Sequence, residues 1–445
     1  MKLKIYFIGW LWLLIAGCTC QYPKILYKQK PAFYSYIFGD VASKQIGLQH
    51  SAEVYATPAS CQKVITALLA YKLFGNNYQY ETKLYATKIN NKIQDVIIKF
   101  SGDPLLTSEN LINLLSVIKN YKINGQIILD MSLFKTPYYS SCLMIDDMGT
   151  EYGQPVSSAN IDQNLIKIII DSDKIIKIKN DAGYLINSNV TITENQSLIK
   201  LKEHNSVITV TGNINSEDKL LEFNISPKNL EQYILNKIKK ITKFLNITVK
   251  INVITDHNKL PFNLILLNSI KSEALNNFIP IALKQSNNLV FDALYLNIIH
   301  SLGDLAKTEE WHHGDDIIKS LINQHFKVDV TNARFVDGSG LSRYNLIQPK
   351  QLFEILKNNY LNNDFIAALA HPGELASSLE YRNNLSNNIK AKTGNMSGIS
   401  CLCGYSMNHK DNKPKKAFVI MTNSFGPPSQ EMFVVMDEFV SYIVK

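Results

Sequence analysis

The stretch ATPASCQKVITALL at residues 56–69 holds a serine and a lysine three positions apart, Ser60 and Lys63, at the start of an apolar run. Residues three apart lie on the same face of a helix, so the Lys63 ammonium group can reach the Ser60 hydroxyl group. A serine hydroxyl becomes a good nucleophile when a neighbouring base takes its proton. Lysine can be that base only if burial or nearby positive charge lowers its pKa. An S-x-x-K pair occurs by chance in many chains, so it indicates catalysis only alongside other motifs.

Two further motifs follow in the chain, SNN at residues 286–288 and KTG at residues 392–394. S-x-x-K, S-x-N and K-T-G in this order are typical of serine enzymes that recognise penicillin. Each motif alone is more often a surface serine, a polar turn or a lysine at a strand end. All three together, in order, predict one catalytic site.

The residue types suit the chemistry of such a site. Ser286 and Asn288 are expected to supply a hydroxyl relay and a side-chain amide. Lys392 and Thr393 are expected on an edge strand, where a cation and a hydroxyl can hold a substrate carboxylate. Gly394 is expected to let the backbone approach the substrate without a Cβ atom between them.

The spacing of the motifs predicts inserted domains. The gap between Ser60 and Ser286 is about twice the gap between Ser286 and Lys392. A compact serine β-lactamase needs far less chain between its first two motifs. The long first gap therefore indicates that one or more domains are inserted after the helix of Ser60.

The sequence resembles the peptidase S13 family, the D-alanyl-D-alanine carboxypeptidase/endopeptidases, also called class C low-molecular-mass penicillin-binding proteins. The resemblance extends over most of the chain, and DGSGLSR is its most family-specific part. It rests on PAS at 58–60, SGDP at 101–104, DDMG at 146–149 with PVS at 155–157, FNISP at 223–227, DGSGLSRYN at 337–345 and AKTG at 391–394.

The fold class implied by the resemblance is α/β (α+β): a serine β-lactamase/transpeptidase-like domain with an inserted α/β domain and a nested small all-β domain. The catalytic domain would comprise residues 22–80 and 264–445, and the inserted domain residues 81–156 and 223–263. The nested domain would comprise residues 157–222, where short alternating runs between Asn, Asp, Gly and Ser also predict strands. Helical periodicity is expected to resume from about residue 269 and to continue to Ser286.

The mechanism implied by the resemblance is acyl transfer in two steps on a peptidoglycan stem peptide. Lys63 would take the proton of Ser60, which attacks the carbonyl of the penultimate D-Ala, and the backbone N–H groups of Ser60 and Asn395 would form the oxyanion hole. Ser286, supported by Lys63 and Asn288, would pass a proton to the leaving amine. Water would then release the acyl group, whereas a β-lactam would stall as a stable acyl-enzyme. Neither a metal nor an organic cofactor is needed.

Recognition of the stem-peptide side chain is also implied by the resemblance. Asp147 and Arg343 match the acid and the arginine that bind the zwitterionic end of diaminopimelate in the family. The alternative is a structural ion pair between domains. The chain departs from the family at Asn395, where a hydroxyl residue is more common, and at Glu374, where Thr is usual. The first change is expected to affect specificity and the second a loop.

The first residues predict secretion. Lys2 and Lys4 precede an apolar stretch, residues 5–16, that is too short to span a bilayer comfortably. The sequence LIAGC at 14–18 resembles a bacterial lipobox, in which Cys18 would be lipidated and would anchor the protein. The signal peptide would then comprise residues 1–18. The alternative is an ordinary signal peptide that is cleaved a few residues later. Both predict export across the cytoplasmic membrane to the periplasm or cell envelope.

Composition narrows the function classes. The 445 residues are 46% hydrophobic and 19% charged with a net charge of +8, which is a globular composition long enough for two or three domains. The lysines are spread along the chain rather than clustered with aromatic residues, so we expect no nucleic-acid partner. His312 and His313 with two following aspartates favour a solvated helix start over a metal site.

Two other functions stay open from the sequence. One is a hydrolase directed mainly at β-lactams, and the other is a peptidoglycan-binding module with a relic site. The balance between carboxypeptidase and endopeptidase activity and the oligomeric state are not predicted by these motifs.

Overall fold

In a computed structural model the chain is described over residues 32–444, apart from residues 44, 90–91, 135–136, 172, 180–182, 303–309 and 427–428. The predicted signal peptide, Cys18 and the first ten residues of the predicted catalytic domain lie outside the described residues. Within the described ranges, none of the helices combines the length and the apolar character that a membrane span requires.

The described elements comprise strands and helices that alternate along most of the chain. The strands are β1 (Phe33–Asp40), β2 (Ile46–His50), β3 (Glu81–Ile89), β4 (Lys92–Lys99), β5 (Gln126–Asp130), β6 (Ile166–Ile170), β7 (Ile176–Ile178), β8 (Leu185–Thr193), β9 (Leu198–His204), β10 (Val207–Asn215), β11 (Leu221–Ile225), β12 (Lys250–Ile254), β13 (Ile265–Lys271), β14 (Ile389–Met396), β15 (Ile399–Met407) and β16 (Pro414–Asn423). The helices are α1 (Lys63–Phe74), α2 (Ser108–Ser116), α3 (Leu230–Phe244), α4 (Leu275–Gln285), α5 (Asn288–His300), α6 (Glu310–Phe326), α7 (Pro349–Asn358), α8 (Asn363–Ala368) and α9 (Ser429–Val444).

The first sheet is antiparallel and joins the two ends of the described chain, in the order β14-β15-β16-β1-β2. All nine residues of β15 are buried, because helices cover both faces of the sheet. Side chains alternate across a strand, so Cys401 and Cys403 face one hydrophobic cluster while Leu402 faces the other, which includes α9 residues. Strand β14, which carries the KTG motif, is at one end of this order.

Helix α1 lies inside the first hydrophobic cluster and packs against α4, α5, α6 and α8. Every residue from Lys63 to Tyr71 is buried. A helix surrounded by other elements buries all its faces, which explains why its sequence is apolar throughout rather than on one stripe. Lys63 is the charged exception, so its surroundings determine its chemistry.

The second sheet has the order β12-β5-β4-β3-β13 and contains parallel as well as antiparallel pairs. Helices α2 and α3 contact this sheet. Because β13 pairs with β3, the second sheet continues to residue 271, beyond residue 264, where the resemblance implies that the catalytic domain resumes. The helix expected from about residue 269 begins at Leu275 instead, since a short apolar run does not by itself distinguish a strand from a helix.

Two three-stranded sheets follow in the segment predicted to be a nested all-β domain, with the orders β11-β6-β7 and β8-β10-β9. Ile168, Ile208 and Val210 from these strands belong to the same hydrophobic cluster as Leu84 and Leu111. The nested strands therefore share a core with the second sheet. The division of the chain into three domains stays a prediction.

Candidate active site

Ser60 lies in a short 3-10 turn, Ala59–Gln62, that leads directly into α1. The amide of Cys61 donates a hydrogen bond to the Pro58 carbonyl oxygen over 3.2 Å. Ala59 has a φ of +47°, in the left-handed region that side chains other than glycine seldom adopt. Such backbone strain persists where the surrounding structure enforces it, and it is concentrated at functional sites.

The Lys63 ammonium group donates three hydrogen bonds, to Ser60 Oγ at 2.8 Å, to Asn288 Oδ1 at 2.6 Å and to the Ser339 carbonyl oxygen at 2.6 Å. The side chain is fully buried. Burial, and next the positive charge of Lys392, lower the pKa of Lys63 to about 7. An appreciable fraction of Lys63 is therefore neutral near pH 7, as a base for the Ser60 hydroxyl must be.

Lys392 is the second buried lysine of the site, with 1% of its surface exposed. Its ammonium group donates to Ser286 Oγ at 3.0 Å and to the Thr393 carbonyl oxygen at 2.7 Å. Burial lowers the pKa of Lys392 to about 8. Ser286 ends α4 in a left-handed conformation with a φ of +60°, which turns the chain between α4 and α5. The Ser286 hydroxyl group thus contacts Lys392, while Asn288 contacts Lys63.

The two asparagines of the SNN motif tie the site to the segment between the first two motifs. Asn287 Nδ2 donates to Gln163 Oε1 at 2.9 Å, and Asn288 Nδ2 donates to the Tyr152 carbonyl oxygen at 2.8 Å. Asn288 therefore uses its oxygen for Lys63 and its amide group for the inserted segment. This arrangement fixes the side-chain amide of Asn288.

A partly buried aspartate on α5, Asp292, holds the segment that receives Lys63. Asp292 Oδ1 accepts hydrogen bonds from the amides of Gly338 at 3.0 Å and Ser339 at 2.7 Å. Burial, with the charge of Asp337, raises the pKa of Asp292 to about 8. Asp292 positions the carbonyl group of Ser339, which in turn accepts from Lys63.

Asp337 organises the rest of the DGSGLSR segment. Its carboxylate accepts from the amides of Gly340 and Ser342, both at 2.7 Å, and from Asn345 Nδ2 at 2.9 Å. Gly340 has a φ of +79°, and a Cβ atom there would lie 2.0 Å from the Ala59 carbonyl oxygen. The segment therefore packs directly against the turn that carries Ser60.

Asp292, Asp337 and Ser339 were not among the predicted site residues. Asp337 and Ser339 belong to the segment that carries the family resemblance, but the sequence assigned them no role. The signal for Asp292 is a carboxylate within the apolar run LVFDAL at 289–294. Aspartate is almost never fully buried unless it is paired, so its position in a buried helix indicates a polar role.

Strand β14 packs against the Ser60 turn on its other side. A Cβ atom at Gly394 would lie 2.6 Å from the Pro58 carbonyl oxygen and 3.1 Å from the Cys61 backbone nitrogen. Close packing on the turn is thus a further reason for glycine here, besides the predicted approach of substrate. Thr393 is buried and Asn395 is exposed. The oxyanion hole between the N–H groups of Ser60 and Asn395 stays a prediction.

Asp147 and Arg343 are not joined by a hydrogen bond or ion pair in the described part of the chain. Arg343 Nη2 donates to the Ser397 carbonyl oxygen at 3.0 Å, just beyond β14. Asp147 ends the 3-10 turn Ile145–Asp147. Burial and the charge of Asp147 raise the pKa of Tyr152, whose carbonyl oxygen accepts from Asn288. The role of Asp147 and Arg343 in recognising the stem-peptide side chain stays a prediction.

Over the same ranges no group of three or more His, Cys, Asp or Glu side chains is arranged to hold a metal ion. The four described cysteines, Cys61, Cys142, Cys401 and Cys403, are free thiols. Cys61 Sγ donates to the Lys392 carbonyl oxygen at 3.3 Å, so this thiol packs between the turn and β14.

Curated relatives and solved structures resemble this chain over most of its length. It is 26% identical over 422 residues to D-alanyl-D-alanine carboxypeptidase DacB of Haemophilus influenzae, covering 88% of this chain and 85% of that one. It is 24% identical over 438 residues to penicillin-sensitive carboxypeptidase A of Dictyostelium discoideum, covering 87% and 82%. The crystal structure of penicillin binding protein 4 from H. influenzae superposes with a TM-score of 0.81 at 23% identity, covering 95% and 98%.

A more distant structural match is Bd3459, a predatory peptidoglycan endopeptidase from Bdellovibrio bacteriovorus, with a TM-score of 0.56 at 16% identity, covering 93% of this chain and 92% of that one. These matches confirm the predicted fold class. The family model of the D-Ala-D-Ala carboxypeptidase 3 (S13) family matches residues 26–441. The chain therefore belongs to the D-Ala-D-Ala carboxypeptidase 3 (S13) family.

Proposed function

We propose that this protein is a serine D-Ala-D-Ala carboxypeptidase and DD-endopeptidase that cleaves peptidoglycan stem peptides through an acyl-enzyme on Ser60. The observation that carries the proposal is the fully buried Lys63, with its lowered pKa, at 2.8 Å from the Ser60 hydroxyl oxygen. A neutral amine in that position can take the hydroxyl proton as Ser60 attacks the carbonyl of the penultimate D-Ala. A relic site would not need to keep this arrangement.

The leaving amine receives its proton from Ser286 in this proposal. Lys392 donates to Ser286 Oγ, which leaves the Ser286 O–H to donate toward the cleft. As the C–N bond breaks, that proton passes to the amine, and the Lys392 ammonium group can restore it. The resemblance implied support of Ser286 by Lys63 and Asn288. In the structure those two side chains contact each other, and Ser286 contacts Lys392.

Lys392 and Thr393 bind the terminal carboxylate, or the equivalent carboxylate of a cross-linked residue. A cation and a hydroxyl group at the edge of the sheet suit a carboxylate. Asp147 and Arg343 are proposed to recognise the amine and the carboxylate of the third stem residue.

Water then attacks the acyl-enzyme, and its proton passes through Ser286 to the neutral Lys392. The Lys63 ammonium group returns its proton to the departing Ser60 Oγ. A β-lactam forms the same ester and is released slowly, so we propose β-lactams as inhibitors.

We also propose that the protein acts in the periplasm or cell envelope and is anchored by lipid on Cys18. The support is the sequence LIAGC at 14–18 after a short apolar stretch. Mass spectrometry of the mature N-terminus tests the anchor, with a Cys18→Ser variant as the control. An unmodified N-terminus downstream of Cys18 would contradict it.

The proposed activity is tested by mass spectrometry of muropeptides incubated with the soluble protein and with the Ser60→Ala variant. Pentapeptide monomers report carboxypeptidase activity through loss of one D-Ala, and cross-linked dimers report endopeptidase activity through conversion to monomers. We expect both changes with the wild type and neither with Ser60→Ala. Unchanged muropeptides with a folded wild-type protein would contradict the proposal.

A further inference from the structure

A charged cluster lies beyond Lys392 toward the start of β14, made of Lys284, Glu374 and Lys390. Lys284 Nζ and Glu374 Oε1 are 2.7 Å apart, and each side chain is about one quarter exposed. Burial, and next the charge of Lys284, lower the pKa of Lys390, so the two ammonium groups are close enough to repel. The cluster therefore holds two cations and one carboxylate. The sequence led us to expect that Glu374 affects only a loop, but its carboxylate is part of this cluster.

The cluster continues the wall formed by Ser286 and Lys392. Lys284 precedes Ser286 by two residues on α4, and Lys390 precedes Lys392 by two residues on β14. Residues two apart on a strand point to the same face of the sheet, so Lys390 and Lys392 share a face. Lys390 thus lies one step farther along β14 than Lys392, on the side away from Asn395, and the charge of Lys284 acts on it there.

The loop that supplies Glu374 is fixed to both α4 and β14. The Ser378 amide donates to the Lys284 carbonyl oxygen at 2.9 Å, and the His371 amide donates to Glu374 Oε2 at 3.1 Å. Ala370 forms an isolated bridge with Ala391 of β14. The carboxylate of Glu374 is therefore held by backbone and by Lys284 rather than left free in a loop.

A cavity of about 490 Å³ opens beside the cluster at the start of β14. Its lining is rich in amide and imidazole groups and includes His371, Asn388, Lys390, Asn408, His409 and Asn412. Such groups donate and accept hydrogen bonds to peptide groups and carboxylates. Its volume is within the range of ligand pockets, so a peptide segment can enter it.

The direction of the substrate gives this region a role, and this step rests on the proposed function. The scissile carbonyl would lie at Ser60 and Asn395, and the carboxylate of the leaving residue at Lys392 and Thr393. The leaving residue therefore extends toward Lys390. In a pentapeptide that residue is a single D-Ala and ends there. In a cross-linked dimer it is a diamino acid that continues into a second stem peptide with further carboxylates.

We infer that the Lys284–Glu374–Lys390 cluster and the adjoining cavity form a subsite for the second, carboxylate-bearing stem peptide of cross-linked substrates. Glu374 fixes Lys284 by its ion pair, and Lys390 supplies the unmatched positive charge of the cluster. A carboxylate of the second peptide interacts with Lys390 beside the cavity. The subsite favours cleavage of cross-links relative to removal of a terminal D-Ala.

The test is steady-state kinetics of the Lys390→Gln variant on a cross-linked dimer and on a pentapeptide monomer. We expect kcat/KM for the dimer to fall about fivefold more than kcat/KM for the monomer, mainly through KM, as for loss of one partly exposed ion pair. Lys390→Glu is expected to enlarge this difference. The matched control is Lys119→Gln, which replaces an exposed lysine just after α2. This variant should leave kcat/KM unchanged for both the dimer and the monomer.

The outcomes separate the subsite from the proposed function. A wild type that cleaves neither substrate would overturn the proposed function and the inference that rests on it. A wild type that cleaves both, with equal losses for dimer and monomer in both Lys390 variants, would overturn the subsite and leave the proposed function standing. A selective loss for the dimer with unchanged thermal unfolding supports the subsite.

Discussion

One added methyl group at residue 394 is expected to displace the turn that carries Ser60. The Cβ atom of a Gly394→Ala variant would lie 2.6 Å from the Pro58 carbonyl oxygen, and real Cβ contacts are essentially never below 3.0 Å. Strand β14 and the turn must therefore separate by at least about 0.4 Å, the difference between these two distances. The three nearest atoms are Pro58 O, Ala59 Cβ and Cys61 N; two are backbone atoms and the third is a Cβ atom fixed to the backbone, so none can rotate away.

The magnitude follows from the position of this contact next to the nucleophile. Misplacement of reacting groups by about 1 Å can cost on the order of 100-fold in rate, so we expect acylation to slow by about ten- to a hundredfold. Overpacking of a core costs about 1–3 kcal/mol of unfolding free energy, so the thermal midpoint should also fall. Both effects share one cause, the separation of β14 from the turn.

The assay is the second-order rate of acylation by a fluorescent penicillin, measured together with thermal unfolding. Gly426→Ala is the matched control, because a Cβ atom there meets nothing within 4 Å. We expect wild-type values for the control. A Gly394→Ala variant that is folded and is acylated at the wild-type rate would refute the claim that this contact positions Ser60.

Three further predictions concern the groups around Ser60. The acylation rate should rise as the pH passes about 7, because Lys63 loses its proton, and fall as the pH passes about 8, because Lys392 loses its proton. A rate that does not vary over this range would count against Lys63 as the base and against Lys392 as the cation. Asp292→Ala leaves the amides of Gly338 and Ser339 without their acceptor and should lower the unfolding free energy by about 1–3 kcal/mol per amide. Asp292→Asn keeps an acceptor oxygen and should cost less. Equal denaturant midpoints for the two variants and the wild type would be evidence against this role of Asp292. Asp147→Asn and Arg343→Gln should raise KM for stem peptides with a free diamino acid end while sparing acylation by a simple penicillin, and parallel losses on both substrates would argue for a structural role instead.

The sequence predicted the parts of the site that local spacing and motif order specify. The three-residue interval between Ser60 and Lys63 permits their contact, because helix geometry is the same in every fold. The order of the three motifs led to the expectation that Ser286 and Lys392 lie beside them. In the structure Lys63 contacts Ser60 and Asn288, and Lys392 contacts Ser286. The fold class was implied by the resemblance to the S13 family, and the long first gap added only the expectation of inserted domains.

The remaining features depend on packing that no local pattern contains. Only the three-dimensional register of β14 against the turn shows that Gly394 lacks room for a Cβ atom. The pairing of Ser286 with Lys392 instead of Lys63 depends on the left-handed end of α4. Glu374 stands far from Lys284 in the chain, so its ion pair could not be read from either segment alone.

The helix expected from about residue 269 begins later, at Leu275, for a physical reason as well. Residues 265–271, ILLNSIK, are short and apolar enough for a strand or for a helix. Pairing with β3 decides between the two, and β3 lies far earlier in the chain. Tertiary pairing thus overrode the local helical periodicity.

The central claim is that Ser60 is the acylated nucleophile, and peptide mapping after reaction with benzylpenicillin tests it most directly. The intact protein and the Ser60→Ala variant are each incubated with the antibiotic, digested and sequenced by mass spectrometry. We predict one penicilloyl group per wild-type chain, located on the peptide that contains Ser60, and none on the variant. A folded wild-type protein that stays unmodified, or an adduct on another residue that persists in Ser60→Ala, would contradict the account.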